Sequence, residues 1–383
     1  MDKPDGGSDG ESRQRVAALC SHPSTWGDGT VVSVLILNWN GLRFLEACLD
    51  SVLKGACKHV EVCLVDNGST DDSVASTERD FPRARVIALR ENFGFGRAYN
   101  AAVDEISGRF VVFLNNDTVV ESDWLVPLIS ELITDPQVAI TTSKVLFMGS
   151  RIVNAAGGQL KLWQGGSELG FGRAESFLDG VSMVEPFYAS GSAMAMSREL
   201  FLRLGGFDDH LWLYAEDLDL SWRARLAGYK IRCVPRSVVL HHYSGTSGVF
   251  SPIKHRLGTT NFMAAMVKCL STANLAHSLP AFTLFAFAKG LGLAIIERNP
   301  AYFTNVAAAV RYTAQASAEL RRKRRETQRL RVAPDRRILP SEGFGLFDWP
   351  WTLLRVLKQG QRLKHTLATQ GSDPKPIQAR VGK

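Results

Sequence analysis

Short apolar runs and helical patterns alternate along the first third of the chain. Four β-branched apolar runs are typical of buried strands: residues 31–37, 60–65, 85–89 and 110–114. Leu42, Leu45 and Leu49 recur at helical spacing after the first run, and residues 96–106 follow a helical pattern before the fourth. Because strand and helix alternate, the pattern predicts an α/β layer with a mixed but mostly parallel sheet.

Polar side chains stand at the ends of three of these predicted strands. The residues are Asn38 and Asn40, then Asp66 and Asn67, and then Asn116 and Asp117. Ligands of an open parallel sheet bind outside the carboxyl ends of its strands. We therefore expect these side chains to line one crevice.

The pattern becomes mixed between residues 138 and 241. A glycine-rich stretch over residues 157–172 predicts loops or a hairpin. Residues 216–228 predict a short helix, because acids open it, arginines follow and a glycine ends it. Further strands are predicted at residues 182–187, 191–196, 230–234 and 238–241.

The chain changes character again after residue 250. Residues 279–296 are nearly all apolar, and this length is at the lower limit for a membrane-spanning helix. Pro280 and Lys289 weaken a spanning helix, so a segment lying at the membrane interface is favoured. A basic cluster at residues 321–331 and aromatic residues at 347–351 suit anionic headgroups and the membrane interface. The alternative is a soluble helical bundle with a solvated basic face.

The composition is that of a globular protein, and the net charge suits an acidic partner. Apolar residues make up 45% and charged residues 22%, which excludes wholesale disorder. The net charge of +7 suits phosphate, anionic lipid or nucleic acid without choosing among them. The polar N-terminal residues lack the apolar core of a signal peptide, so a cytoplasmic location is expected.

Four regions follow from these patterns. They are a disordered leader (1–29), an α/β domain (30–250), a helical and membrane-associated region (251–370), and a disordered tail (371–383).

Asp117 is the first candidate for catalytic chemistry. A carboxylate at a strand end can hold Mg²⁺ or Mn²⁺ against a diphosphate, whose negative charge grows as it departs. The alternative is a cap for a helix that begins within residues 118–124. Asp66 and Asn67 can contact a base, a ribose or a phosphate, or they can cap a helix over residues 70–77.

Asn92 and Gly94 belong to a string that places glycines just before a helix start. Helix N-termini bind phosphate, so this string suits the same crevice. It is not a dinucleotide fingerprint, which requires Gly-x-Gly-x-x-Gly directly after the first strand. The sequence therefore argues against a Rossmann dehydrogenase.

Glu216 and Asp217 open the predicted helix beside Trp212 and Tyr214. Asp217 can act as the general base for a sugar hydroxyl, or both acids can compensate the helix dipole. His241 follows a predicted strand, where a neutral imidazole can complete a metal site or simply pack.

In this order the clusters resemble the inverting family 2 glycosyltransferases of the GT-A fold, in particular rhamnosyltransferase-like members that build cell-envelope polysaccharides. The resemblance covers residues 31–250. The matching strings are residues 34–41, 65–71, 92–96, 114–118, 205–208 after Gly191, 214–223, and His241 with the Ser/Thr/Gly run that follows.

The resemblance implies a role for each matching position. The donor-binding positions are Asn38, Asn40, Asp66, Asn67, Asn92, Gly94 and Asn116, with Asp66 on the base. Asp117 and His241 would hold a divalent metal, Mn²⁺ or Mg²⁺. The catalytic base would be Asp217 with Glu216 beside it, and the acceptor positions are Gly191, Trp212 and Tyr214. The metal motif reads Asn-Asn-Asp, so its last residue is its one carboxylate.

The implied activity is an inverting sugar transfer from a nucleotide-sugar donor. A dTDP-rhamnose-like donor is favoured, while UDP- and GDP-linked sugars stay open. The acceptor would be a lipid-linked or cell-envelope polysaccharide at an anionic membrane surface, with the protein peripheral or monotopic on the cytoplasmic face of the cell membrane. The alternative is a non-catalytic module of the same fold that binds nucleotide sugars or glycans. Nucleic acid is not an expected partner, because the basic cluster lacks interleaved aromatic residues.

Overall fold

The structure is a computed structural model that describes residues 32–242 and 251–339. The predicted leader (1–29), the predicted tail (371–383) and the aromatic residues at 347–351 lie outside the described residues. The chain divides into two compact units. The first unit comprises the chain up to Gly157 with Glu168–Trp212 and Tyr229–His241, and the second comprises Gly158–Ser167, Leu213–Gly228 and the chain from His242 onward.

Eleven strands lie within the described residues. In chain order they are β1 Val32–Asn38, β2 Val60–Asp66, β3 Ala84–Ala88, β4 Phe110–Asn115, β5 Thr118–Val120, β6 Val138–Phe147, β7 Val153–Ala155, β8 Gly158–Lys161, β9 Gly165–Glu168, β10 Ala193–Ser197 and β11 Lys230–His241. The first unit holds one sheet in the order β3-β2-β1-β4-β10-β6-β11-β5, with β7 paired to β6.

Eleven α-helices lie within the same residues. They are α1 Leu42–Gly55, α2 Ser73–Asp80, α3 Phe95–Val103, α4 Leu125–Thr134, α5 Arg198–Arg203, α6 Glu216–Leu226, α7 Pro252–Cys269, α8 Thr272–Ile296, α9 Ala301–Gln315, α10 Ser317–Arg329 and α11 Asp335–Ile338.

The first four strands of the sheet run parallel, as the alternation of strand and helix predicts. β1 pairs in parallel with β2 and with β4, and β2 pairs in parallel with β3. β10 runs antiparallel between β4 and β6, which makes the sheet mixed. Helix α1 buries Leu45, Leu49 and Val52 in a core shared with β1 and α4. The parallel register sets Asn38 opposite Asp66, so two of the polar strand ends meet by topology alone.

Two local expectations are wrong. The helix start considered within residues 118–124 is strand β5, which pairs with the last three residues of β11, and α4 begins only at Leu125. Thr118 and the two valines after it have β propensity, and the distant partner strand decides the outcome. The strand expected at residues 182–187 reduces to one bridge between Val184 and Cys233. Pro186 has no N–H for a ladder, which explains why pairing stops there.

The glycine-rich stretch follows the expected pattern, whereas the end of the first unit differs from it. β8 and β9 form a two-stranded sheet of their own. The two strands predicted at residues 230–234 and 238–241 are one strand, β11, whose register with β6 shifts between Val234 and Val238. Pro235 lies in this gap and cannot donate to the ladder, so it interrupts pairing without ending the strand.

The second unit is helical apart from β8 and most of β9. Aromatic contacts hold it together, with ring centroids 4.7 Å apart for Phe262–Phe282 and 5.1 Å apart for Trp163–Phe285. Of the helices in residues 32–242 and 251–339, α8 alone is long and apolar enough to cross a bilayer, with a mean hydropathy of 1.8. Only 28% of its most apolar window is buried, so α8 is not the enclosed core helix of a bundle.

Candidate active site

Asn38, Asp66 and Asn116 form a hydrogen-bonded cluster at the carboxyl ends of β1, β2 and β4. The Asn38 amide donates to Asp66 Oδ1 over 3.1 Å, and the Asn116 amide donates to Asn38 Oδ1 over 2.6 Å. Asp66 also accepts from the backbone N–H of Ser69 at 3.0 Å. Asn38 and Asp66 are almost completely buried, so their amide and carboxylate groups are held in fixed positions. The three polar strand ends therefore meet as the topology predicts, and their role in lining a ligand crevice stays a prediction.

The loop after β1 approaches this cluster closely at Gly41. A Cβ atom at Gly41 would lie 2.0 Å from Asn116 Nδ2 and 2.5 Å from Asn38 Oδ1, so a larger residue cannot fit without displacing them. Asn40 adopts φ 51°, and its Oδ1 accepts from the backbone N–H of Thr70 at 2.7 Å. Asn40 thus links the loop after β1 to the loop after β2, because its side-chain oxygen accepts the hydrogen bond between them.

Asn67 and Asn92 build the neighbouring loop. Asn67 Nδ2 donates to Asn92 Oδ1 at 3.0 Å and to the carbonyl of Gly94 at 3.1 Å, while Asn67 Oδ1 accepts from the Phe93 N–H. Gly94 adopts φ 79°, and a Cβ there would lie 2.4 Å from the carbonyl of Trp212. These hydrogen bonds position the loop that opens helix α3, whereas their predicted contact with the donor stays a prediction.

Asp117 and His241 meet at the edge of this cluster. Strands β5 and β11 pair Thr118 with His241, and His241 Nε2 lies 3.2 Å from Asp117 Oδ1. His241 Nδ1 lies 3.0 Å from Asn154 Oδ1, and all three side chains are buried. Sequence reasoning missed Asn154, because nothing in the pattern around β7 distinguishes it.

The donor atoms of this chain suit a hard divalent ion. A carboxylate oxygen and an imidazole nitrogen are ligands that Mn²⁺ and Mg²⁺ accept, and Asn154 orients the imidazole from behind. Both ring nitrogens of His241 face acceptor oxygens, and a neutral ring can donate to only one of them. A cation bound by His241 Nε2 and Asp117 Oδ1 would satisfy the other nitrogen. Among residues 32–242 and 251–339, no three His, Cys, Asp or Glu side chains gather as a metal site, and metal binding by Asp117 and His241 stays a prediction.

Gly191 and Trp212 also belong to the first unit. Gly191 directly precedes Ser192, whose carbonyl accepts from the Asn115 N–H at the end of β4. The carbonyl of Trp212 accepts from the N–H of Phe95 at 2.8 Å, which ties residue 212 to the start of α3. Both residues therefore lie beside elements that carry the polar cluster, and their contact with an acceptor stays a prediction.

Tyr214 and Ala215 form a strained turn in the second unit, directly before helix α6. Their φ values are 72° and 66°, a left-handed conformation that costs non-glycine residues free energy. Asn261 on α7 stabilises this turn, since its Nδ2 donates to the carbonyls of Leu213 and Tyr214 at 2.9 and 2.8 Å. Such strain is typical of functional sites, and Asn261 is a second residue that sequence reasoning missed.

Glu216 and Asp217 directly follow Tyr214 and Ala215 and lie in the first turn of helix α6. Glu216 is buried, and this burial raises the pKa of its carboxyl well above the ordinary value, with the Asp217 charge raising it further. Asp217 is more exposed, and its Oδ1 accepts from the Leu218 N–H at 2.7 Å. The two acids therefore differ in character, because Glu216 favours its neutral form while Asp217 is accessible.

A buried ion-pair cluster begins in the same first turn of α6, at Asp219. Asp219 is fully buried and accepts from Arg223 Nε at 2.9 Å, and its other oxygen lies 2.5 Å from Lys268 Nζ on α7. Lys268 is itself almost completely buried. This cluster joins α6 to α7 and fixes the helix that carries Asp217.

A cavity at the opposite edge of the sheet contains none of the predicted site residues. It is lined by Arg109, Arg198 and Tyr229 among others, near the amino-terminal end of β4.

The part of the chain that carries the strand-end cluster matches a known family. Residues 33–203 match the family described as "Glycosyl transferase family 2". These residues form a glycosyl transferase family 2 domain. The matched range contains Asn38, Asp66 and Asp117, and the predicted family is thereby confirmed.

Curated relatives of this family 2 domain include an O-antigen biosynthesis protein and an L-rhamnosyltransferase. The chain is 27% identical over 229 residues to the O-antigen biosynthesis protein RfbC of Myxococcus xanthus, covering 56% of this chain and 17% of that protein. It is 26% identical over 241 residues to the N-acetylglucosaminyl-diphospho-decaprenol L-rhamnosyltransferase of Mycobacterium tuberculosis, covering 57% of this chain and 78% of that protein.

A solved structure shares the fold. Similarity to the crystal structure of GalNAc-T7 with UDP, GalNAc and Mn²⁺ gives a TM-score of 0.53 at 16% identity, covering 76% of this chain and 58% of that chain. The predicted α/β fold of GT-A type, with a helical C-terminal region, is confirmed.

Proposed function

We propose that the chain is an inverting glycosyltransferase that moves a sugar from a nucleotide diphosphate donor to a lipid-linked or cell-envelope polysaccharide. The observation that carries the proposal is the hydrogen-bonded Asn38–Asp66–Asn116 cluster at the strand ends of a family 2 domain, with Asp117 next to it. Fixed amide and carboxylate groups at this edge suit a nucleotide, whose base and ribose offer both donors and acceptors.

The favoured donor is dTDP-rhamnose or a similar nucleotide sugar. Support comes from the mycobacterial relative, whose name states that it is an L-rhamnosyltransferase. Asp66 and Asn38 would contact the base end of the donor, while Asn116 would lie toward the diphosphate next to Asp117.

Asp117 and His241 would hold a divalent metal, Mn²⁺ or Mg²⁺. When bound, that ion neutralises charge on the departing diphosphate. Two protein ligands suffice when substrate phosphates supply others, as is usual for Mg²⁺ sites. Asn154 contributes by fixing the orientation of the His241 ring.

Asp217 would be the general base. Its carboxylate takes the proton of an acceptor hydroxyl, the hydroxyl oxygen attacks the anomeric carbon, and the bond to the diphosphate oxygen breaks. Attack from the face opposite the leaving group inverts the anomeric configuration. Glu216 would stay protonated beside Asp217, so that one negative charge serves the reaction.

The second unit would associate with the cytoplasmic face of the cell membrane as a peripheral or monotopic element. Leu284, Leu291 and Ile295 of α8 are exposed, at 69%, 50% and 69% of their surface. Exposed apolar residues at this density suit a lipid interface, and the arginine-rich helix α10 suits anionic headgroups.

A donor screen tests the proposal directly. Thermal shift with Mn²⁺ or Mg²⁺ across dTDP-, UDP- and GDP-linked sugars should give stabilisation by one nucleotide class, followed by transfer to a lipid-linked acceptor. Stabilisation without transfer or donor hydrolysis would instead support a binding module of the same fold. Flotation with anionic liposomes at low salt tests the membrane part, and protein that stays in the soluble fraction would contradict it.

A further inference from the structure

The cavity at the amino-terminal edge of the sheet is basic. It has a volume of about 490 Å³, and small-molecule sites typically measure roughly 300–1,000 Å³. Arg109, which precedes β4, lines it together with Arg198 and Arg203 of α5 and with Tyr229, which precedes β11. The hydrogen-bonded cluster of the candidate active site lies at the carboxyl ends of β1, β2 and β4. The cavity is therefore a separate place at the other edge of the same sheet.

The sheet and helix α5 set the positions of the three arginines. β10 runs antiparallel beside β4, and just beyond this pairing the backbone N–H of Arg198 donates to the carbonyl of Arg109 at 2.9 Å. Arg203 Nη2 donates to the hydroxyl of Tyr229 at 2.5 Å, which connects the end of α5 to the start of β11. The cavity lining is thus built on regular elements, and its guanidinium groups come from three directions.

Positive charge in this cavity is not balanced by the protein. Within residues 32–242 and 251–339, none of the three lining arginines forms an ion pair with a carboxylate. Glu199 is the one acidic side chain of the lining, so cations are in excess. Glu131 and Asp135, at the end of α4, already pair with Arg232. Like charges gathered in a concave surface create a positive potential that attracts anions.

The guanidinium groups keep N–H donors for a ligand. Arg109 makes no side-chain hydrogen bond to another described residue, and its guanidinium carbon lies 5.3 Å from the centroid of the Phe110 ring. Arg198 Nε donates to the Val103 carbonyl at 3.0 Å, and Arg203 donates to the phenol described above. A guanidinium has five N–H donors, so each arginine retains several. Arginine binds phosphate through such paired donors.

We propose that this cavity binds a small phosphate ester, with the three guanidinium groups on the phosphate and the apolar part of the lining against the esterified group. Leu132, Leu200 and Leu202 belong to that lining, and Leu202 is 46% exposed, which leaves its side chain accessible to a ligand. The Tyr229 hydroxyl accepts from Arg203 and can donate its own hydrogen to a phosphate oxygen. The inference goes beyond the proposed function, because it assigns a second anion site that no step of the sugar transfer uses.

Calorimetric titration of the full chain with phenyl phosphate tests the site, with EDTA present so that no divalent metal carries the probe. Arg109→Met should weaken binding at least about tenfold, which corresponds to the loss of one charge-assisted contact. Arg109→Lys should bind with intermediate affinity, because it keeps the charge and loses the paired donors. Phenyl phosphate should bind more tightly than inorganic phosphate, and an affinity no higher than that of inorganic phosphate would overturn the ester assignment.

Arg236→Met is the matched control, because Arg236 is an exposed arginine of the same unit that does not line the cavity. It should leave the affinity within about twofold of the parent, a difference well below one tenfold step. Equal weakening by Arg236→Met and Arg109→Met would overturn the site in favour of diffuse electrostatic attraction. A parent chain that does not bind millimolar phenyl phosphate would also overturn it. Arg109→Met removes no side-chain hydrogen bond among the described residues, so it should melt like the parent.

Asp117→Asn distinguishes the cavity from the strand-end cluster. Because Asp117 follows β4 at the other edge of the sheet, this variant should bind phenyl phosphate within about twofold of the parent, well below one tenfold step. Weakening by Asp117→Asn together with unchanged binding by Arg109→Met would place the probe at the strand ends and overturn the cavity site. Binding of nucleotide sugars is measured separately by thermal shift, so its failure in the parent contradicts the proposed function and not this site.

Discussion

The Nε2 atom of His241 lies 3.2 Å from the Oδ1 atom of Asp117, although one residue ends β11 and the other follows β4. Pairing of β5 with β11 brings them together, because Thr118 is directly opposite His241. Asn154 contacts the other ring nitrogen of His241. The imidazole is therefore held from both sides, as a metal ligand with an orienting partner requires.

Substitution of His241 or of Asn154 should weaken Mn²⁺ binding to different extents. His241→Ala should lower the Mn²⁺ affinity in the presence of a nucleoside diphosphate more strongly than Asn154→Ala, which should cost about tenfold or more. Calorimetric titration with Mn²⁺ measures both. His210→Ala is the matched control, because His210 also faces an aspartate, Asp208, but at 3.8 Å and partly exposed. Equal Mn²⁺ affinity in all three variants and the parent would remove His241 from the metal site.

The two acids at the start of α6 should respond differently to amide substitution. Asp217→Asn should lower the transfer rate by roughly 10²- to 10⁴-fold, because the general base is lost, while donor binding survives. Glu216→Gln should keep most of the rate, since the raised pKa of Glu216 keeps it neutral and glutamine imitates a neutral acid. Single-turnover transfer assays separate the two variants. Normal turnover by the asparagine variant would exclude Asp217 as the base.

The raised pKa of Glu216 also predicts how stability depends on pH. The pKa is higher in the folded than in the unfolded chain, so the stability that the neutral carboxyl contributes is complete below the ordinary value of 4.5. It is lost as pH rises through the folded-state pKa. Glu216→Gln removes this loss, so its melting temperature relative to the parent should rise with pH above about 4.5 and then level off. Melting curves from pH 4 upward test this, and a constant difference between the two chains would contradict it.

Sequence patterns predict the parts of this fold whose determinants are local. β1, β2 and β4 are continuous apolar runs followed by polar turn residues, and parallel topology then places Asn38, Asp66 and Asn116 at one edge. The actual hydrogen bonds among them confirm that these three residues meet. The pattern is sufficient here because each residue ends a strand or directly follows one.

Sequence patterns do not identify residues whose role depends on partners far along the chain. Asn154, Asn261 and Lys268 have unremarkable neighbours in the sequence, and each becomes significant through a contact far along the chain. The strand conformation of β5 escapes prediction for the same reason, since its pairing with β11 decides its conformation. Lys268 in particular is indistinguishable from a surface lysine until packing shows it buried.

Gly41 should be intolerant of any side chain. Its φ of −111° is ordinary, so the effect of Gly41→Ala is steric, arising from a Cβ at 2.0 Å from Asn116 Nδ2. The substitution should displace Asn116 and Asn38 and weaken nucleotide-sugar binding, measured by thermal shift titration. Gly258→Ala is the control, because no atom lies within 4 Å of a Cβ there and alanine favours the interior of helix α7. Donor affinity that is unchanged in Gly41→Ala would show that this cluster does not form the donor site.

The Lys268–Asp219 pair should be among the most sensitive ion pairs of the second unit. Lys268→Met leaves the fully buried Asp219 carboxylate with Arg223 and removes its 2.5 Å contact, so unfolding free energy should fall by about 3 kcal/mol. Lys54→Met is the control, because the Lys54–Asp50 pair has the same 2.5 Å separation but both side chains are more than half exposed. Exposed pairs contribute little, since water already solvates both charges, so this variant should unfold like the parent. Denaturant unfolding of the three chains measures the difference. Equal stability of Lys268→Met and the parent would mean that Arg223 alone compensates Asp219, and that Lys268 is not required to hold α6 against α7.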